Sequence, residues 1–160
     1  MIFELIGQDQ IAGRFRRLIN NKRIGSAYLF AGPEGAGKTS MTLNVATMLL
    51  CRNPQDGNAC GTCSACIKML HANHPNFHFV HALPRGKNPS DNDPYHGLDE
   101  ADFTAIREER IKLAQNPYAG IYIPGANQIL ISSIRHLKKE LAMKPAESGR
   151  QIVFVHLAEF

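Results

Sequence analysis

Apolar residues recur at helical spacing in some stretches of this chain and in short unbroken runs in others, and that alternation sets the fold class. Ile11, Phe15, Leu18 and Ile19 share one face of a segment that Asp9 can cap and that runs to about Asn20, with Arg14, Arg16 and Arg17 turned away. Ala27 to Ala31 is a short apolar and aromatic run that stops at Gly32, the pattern of a buried parallel strand. From about Gly37 to Leu50 helical spacing returns, with Met41, Val45, Met48 and Leu49 facing inward. Residues 77–81, Phe-His-Phe-Val-His, read as a second strand. Asn127 to Met143 reads as an amphipathic helix on Leu130, Ile134, Leu137 and Leu141, closed by Pro145. A turn at Glu147-Ser148-Gly149 then leads into Gln151 to Val155, a third buried run. Strands alternating with helices imply right-handed crossovers and an open parallel α/β sheet flanked by helices.

Other segments break this alternation. Residues 51–66 hold all four cysteines among Asn, Pro, Asp and Gly, a composition that needs a cross-link to order it. Residues 84–94 read as a flexible loop, and Leu98 to Gln115 as a charged helix with Phe103 and Ile106 on one side, ended by Asn116-Pro117. Together 84–124 reads as a surface insertion.

Composition narrows the class without choosing a function. With 160 residues, 44% of them hydrophobic and 20% charged, the chain is ordinary globular matter, which excludes collagen-like, mucin-like and wholly disordered proteins. A chain of this length holds a core without disulfide staples. A net charge of +4 permits an acidic partner but falls short of a dedicated nucleic-acid arm. The first residues lack the pattern of a secretory signal, and no apolar run approaches the ~20 residues of a membrane span, so a cytoplasmic location with no membrane contact is expected. In a reducing compartment the cysteines are expected to bind metal rather than to pair.

Gly32-Pro33-Glu34-Gly35-Ala36-Gly37-Lys38-Thr39 matches G-x-x-x-x-G-K-[ST], followed by Ser40, between an apolar run and a helix. Glycines let successive N–H groups turn toward phosphate oxygens, and the positive end of the helix adds to that field. Lys38 supplies a point charge for the β- and γ-phosphates, and the Thr39 hydroxyl can ligate Mg²⁺. ATP with Mg²⁺ is the expected ligand of residues 32–40. A glycine-rich turn that ends in Lys-Thr by chance is the bland alternative, and the flanking elements disfavour it.

Cys51, Cys60, Cys63 and Cys66 have the spacing C-x8-C-x2-C-x2-C. Two C-x2-C steps converge neighbouring thiolates on one metal, and Cys51 closes a tetrahedron, which suits a structural Zn²⁺. An iron–sulfur cluster, a redox pair or four free thiols are the alternatives, and they fit the equal steps less well. His71, His74, His78 and His81 lie downstream and are not needed to complete the shell.

The loop and the cysteine module, in this order along the chain, resemble the bacterial DNA polymerase III clamp loader, an AAA+ family. Ile6-Gly7-Gln8 resembles its N-terminal box near the adenine, residues 25–30 its first strand, and His74-Pro75-Asn76 the motif after its zinc module. Residues 141–147 and 150–159 are similar to the turn and Walker B strand of its δ′ type, with γ/τ the second choice. The resemblance implies an N-terminal part of an AAA+ P-loop domain over residues 1–160. It also implies partnership with other clamp-loader subunits in a hetero-pentamer, and contact with the sliding clamp and primer-template DNA through that assembly. In the resembled topology the first strand lies between the fourth and fifth, which would leave residues 27–31 without partners here and prone to association.

Three departures refine the expectation. Ser26 stands where the family usually has His, and 84–124 is longer than the usual link. His156 and Leu157 stand where an active ATPase has Asp-Glu, which points to nucleotide binding with weak or absent hydrolysis and away from γ/τ. Glu159 is the alternative source of a carboxylate, three residues past the required position. An unrelated P-loop ATPase or kinase, or a zinc-knuckle nucleic-acid binder, are the competing functions.

Overall fold

The computed structural model describes residues 2–158, so Glu159 and Phe160 lie outside the described residues. It divides into two compact units, one formed by Met1–His74 with Leu113–Ala119, the other by Pro75–Lys112 with Gly120–Phe160.

The first unit is built on three helices. Helix α1 spans Asp9–Asn20 and α2 spans Lys38–Leu50. Asp9 is the first helical residue rather than the cap; Gln8 holds the cap position and makes no side-chain cap bond. The buried stripe of α1 centres on Ala12 and Phe15, so Ile11 turns out to solvent, 42% exposed. Those residues pack with Met41 and Val45 of α2, with Leu5, Ile24, Phe30 and Leu49 around them. Helix α2 is buried on nearly every side, including Ser40, Asn44 and Thr47. These polar groups are satisfied by the chain itself: Asn44 accepts the N–H groups of Ile2 and Phe3 at 3.0 and 3.1 Å and donates to the Phe3 carbonyl at 2.9 Å. A buried amide can be kept only when bonded in this way. Helix α3, Ser64–Leu70, follows Cys63 and buries Ala65, Cys66 and Met69. The sequence reading ended the cysteine segment at Cys66 and missed this helix, whose apolar positions are too few to show a period.

Residues 27–31 form no strand, contrary to expectation. Tyr28 is 44% and Leu29 85% exposed, while Phe30 and Tyr28 pack against the Phe15 ring at 5.5 and 5.0 Å. A strand exists through its ladder, and among the described residues no strand lies opposite this run.

The second unit carries the sheet. Strand β1, Phe77–Val80, pairs in parallel with β2, Ile152–Val155, in the register Phe77↔Ile152 to Val80↔Val155. The parallel α/β character expected from the sequence is therefore present in a two-stranded sheet. One face aligns Phe77, Phe79 and His81 with Ile152, Phe154 and His156, and Phe79 stacks on Phe154 at 5.0 Å. Strand β2 was expected to be buried on both faces; Phe154 is buried, but Val153 and Val155 are 38% and 39% exposed because they point to the opposite face.

Helix α4, Glu100–Gln115, confirms the charged helix of the insertion, although Phe103 is 45% exposed. Segment 84–124 is more than surface, since Ile106 and Ile123 join Leu83 and Leu130 in a buried cluster. Helix α5, Ile131–Ala142, begins four residues later than the spacing suggested. The Gln128 carbonyl accepts the Leu83 N–H at 3.4 Å, which draws 127–130 out of the helix and seats Leu130 in the cluster. Ser132, Ser133 and Leu137 are the buried face, so Ile134 and Leu141 lie at the surface. Among the described residues no helix is long and apolar enough to cross a membrane.

Candidate phosphate loop and metal centre

The two candidate sites sit at opposite ends of α2. At its N-terminus the loop turns on Gly35 at φ 75° and Gly37 at φ 79°, left-handed conformations that cost a side-chain-bearing residue about 1–2 kcal/mol. Gly37 is the helix cap and supplies no side-chain bond, so α2 presents an uncapped positive end. Lys38 Nζ donates to the carbonyls of Gly32 and Pro33, both at 2.8 Å, folding the ammonium back across the loop. Pro33, Glu34 and Gly35 are exposed, Lys38 and Thr39 half-buried, and Gly37 buried. Ser40, the last residue of the expected set, donates its hydroxyl to the Glu4 carbonyl and is fully buried, so its side chain braces the N-terminal segment. Gln8 of the Ile6-Gly7-Gln8 box donates from Nε2 to the Ala36 carbonyl at 3.3 Å. An anion placed over this turn would meet a helix N-terminus and an ammonium, the chemistry a polyphosphate needs.

At the other end, Cys51 caps α2 in extended conformation. The chain then makes a two-residue hairpin at Asp56-Gly57, where Gln55 and Asn58 exchange backbone bonds of 2.9 and 2.8 Å and both central residues have positive φ. The Asp-Gly pair in the sequence was its signal. Gly57 is required: a Cβ there would come within 2.6 Å of the Arg16 carbonyl oxygen. The hairpin returns the chain to Cys60, and α3 begins after Cys63, so that Cys66 sits in its first turn.

All four sulfurs converge. Their separations are 3.6 Å for Cys51–Cys60, 3.9 Å for Cys51–Cys63, 4.0 Å for Cys60–Cys66 and 3.5 Å for Cys63–Cys66, with every pair within 4.8 Å. A regular tetrahedron with metal–sulfur bonds of ~2.3 Å has edges of about 3.8 Å, so the donor set fits a zinc-sized thiophilic ion. These four cysteines are the one such group of metal-capable side chains among the described residues. The surroundings favour thiolate at one position in particular: backbone N–H groups of Thr62 and Cys63 bring the Cys60 thiol down to about 6. Burial pushes Cys63 up, but the N–H groups of Cys66 and Arg52 outweigh it and leave it lowered. Burial raises Cys51 and raises Cys66 further. A divalent cation at the centre would offset those desolvation costs by charge.

His156 follows β2 and donates its N–H to the Val80 carbonyl at 2.8 Å, and Leu157 has φ 52°. Neither brings a carboxylate to the end of the strand.

Three relatives share parts of this chain. The DNA polymerase III subunit gamma/tau of Mycobacterium tuberculosis is 36% identical over 66 residues, 41% of this chain and 11% of the relative. Protein STICHEL-like 4 of Arabidopsis thaliana is 36% identical over 64 residues, 40% of this chain and 7% of the relative. The DNA polymerase III subunit delta' of Bacillus subtilis is 29% identical over 140 residues, 83% of this chain and 38% of the relative. The chain thus spans only a minor part of the curated relatives it matches. No solved structure matches it. The sequence model of the family described as DNA polymerase III, delta subunit, matches residues 7–160, and on that near-complete coverage this chain belongs to that family of bacterial DNA polymerase III clamp-loader proteins.

Proposed function

We propose that this chain is the nucleotide-binding, weakly hydrolysing δ′ type of clamp-loader subunit, part of an AAA+ P-loop domain that takes part in ATP-dependent loading of the sliding clamp onto primed DNA. Residues 32–40 hold ATP with Mg²⁺ in this reading, and Cys51, Cys60, Cys63 and Cys66 hold a structural Zn²⁺. Other clamp-loader subunits are its direct partners, the clamp and primer-template DNA are met through the assembly, and its location is cytoplasmic. Segment 84–124 is an insertion of this domain.

The pair His156-Leu157 at the end of β2 carries the distinction from an active ATPase. Hydrolysis requires an acidic group beside Mg²⁺ and a positioned water, and losing them costs orders of magnitude in rate. Binding asks only for the loop, the helix end and Lys38. Steady-state ATP turnover with clamp and primed DNA tests the reading: ATP should bind with an affinity that Lys38→Ala abolishes, and turnover should stay near background. Robust hydrolysis lost on Lys38→Ala would favour the second reading, a γ/τ-type motor. The 36% identity to gamma/tau over 66 residues is the observation behind that second reading.

A further inference from the structure

Tyr118 lies in the turn that follows α4 and belongs to the same compact unit as the phosphate loop. Its own turn is tied down: Asn116 Oδ1 accepts the Tyr118 N–H at 3.1 Å, the Asn116 carbonyl accepts the Ala119 N–H at 2.9 Å, and Pro117 between them is buried. From there the phenol reaches two parts of the candidate site. Its hydroxyl oxygen accepts the Ile6 N–H at 2.9 Å. Its ring end lies against Gly37, where an added Cβ would stand 3.1 Å from Tyr118 Oη, 3.6 Å from Cε1 and 3.2 Å from Leu5 Cδ1.

Two consecutive loop residues therefore adjoin the N-terminal box: the Ala36 carbonyl accepts from Gln8, and Gly37 lies beside the tyrosine that bonds Ile6. Gly37 is the left-handed residue immediately before Lys38, so its dihedrals set the direction in which Lys38 and the first-turn amides of α2 leave the loop. We infer that Tyr118 is a positioning residue of the nucleotide site, fixing the Gly37 turn against the Ile6-Gly7-Gln8 box so that the phosphate-facing amides are aligned before nucleotide arrives. The inference rests on the reading of residues 32–40 as a nucleotide loop. Residues 113–119 thereby give the 84–124 segment a part in binding that neither the loop motif nor the cysteine spacing indicates. Prealigned donors bind more tightly because the ordering cost is already met in the free protein.

The test compares Kd for ATP with Mg²⁺, by titration calorimetry, among the unmodified protein, Tyr118→Phe, Tyr118→Ala and Lys38→Ala, with melting of each measured without nucleotide. Tyr118→Phe keeps the ring and loses one hydrogen bond, so Kd should rise about fivefold while the nucleotide-free melting temperature stays put. Tyr118→Ala also frees Gly37 and Leu5, and Kd should rise more than tenfold on the same reasoning. If both tyrosine variants bind ATP as the unmodified protein does and Lys38→Ala does not bind, the inference falls and the loop reading stands. Tighter binding by Tyr118→Ala would mean that the ring blocks the site, which also overturns the inference. No binding by the unmodified protein removes the loop reading and the inference together. Should Tyr118→Ala fail to fold, Tyr118→Phe decides alone.

Discussion

The two ends of α2 carry the two candidate sites, and they are held by different physics. At Gly37-Lys38 the shape comes from backbone conformation: left-handed glycines, a helix terminus and an ammonium bonded to two carbonyls of the loop. At Cys51 the shape is one of side chains: four sulfurs gather within 4.8 Å, carried by one small hairpin and the first turn of α3. The first shape is complete from the chain alone. The second is an arrangement of donors that an ion, in the proposed reading, would stabilise. If the proposed metal is bound, α2 is anchored at one end by peptide groups and at the other by coordination, and the two ends should fail under different treatments.

Metal removal should separate them most sharply. Structural zinc contributes roughly 10 kcal/mol or more to the folding of small thiolate modules. Native mass spectrometry should show about 65 Da of bound metal per chain, and acid with chelator should remove it. Hydrogen exchange at 51–70 should then collapse while amides of 38–48 keep protection; equal masses before and after chelation would sink the zinc assignment. Cys63→Ser should reproduce the same local loss.

Asn44→Ala attacks the other half of the comparison. It deletes a fully buried amide that serves the N–H groups of Ile2 and Phe3, and stranding those donors should cost about 3 kcal/mol. Urea denaturation should show that loss with metal content unchanged. If metal leaves as well, the two ends are not independent.

Gly37→Ala should cost about 2 kcal/mol, from the left-handed φ and from contact with Tyr118 and Leu5. Its thermal melt should fall by several degrees, again with metal retained. An unchanged melt would mean that the loop relaxes around the new methyl.

Mild acid gives the smallest effect and sets a background for the others. His81, at the end of β1, is buried and held neutral, with burial and then the charge of Arg110 and the neighbouring His156 bringing it down to about 4. Its folded value lies below its unfolded value of about 6.5, so the unfolded chain takes the proton first and stability falls as pH drops. The loss should reach about 1 kcal/mol between pH 7 and pH 5.5. His81→Phe should flatten that slope in urea midpoints measured with metal saturating; an unchanged slope would assign the acid sensitivity elsewhere.

The convergence of the four cysteines and the glycine turn ahead of α2 were legible because each is a local pattern that sets those residue types at fixed intervals. Asn44 and Tyr118 were not, because each acts across the chain, on residues 41 and 112 positions away. An asparagine on an apolar helix or a tyrosine after a proline carries no local mark of its partner. The same distinction separates two runs of similar appearance. Residues 27–31 and 77–80 are both short, apolar and aromatic, yet only the second found a parallel partner and became a strand.

Helical spacing alone determined that α1, α2, α4 and α5 would form near their observed places, since a repeat every three or four residues is a property of the segment. The glycines, Lys38 and the four cysteines likewise marked the two candidate sites without the fold. Only the tertiary structure decided which face of α1 and α5 would be buried, that Gln128 would give its carbonyl to Leu83 and delay α5, and that Tyr118 would rest on Gly37. Burial, ladder pairing and backbone capture each need a second stretch of chain to supply the contact, and a local pattern holds no record of where that stretch will lie.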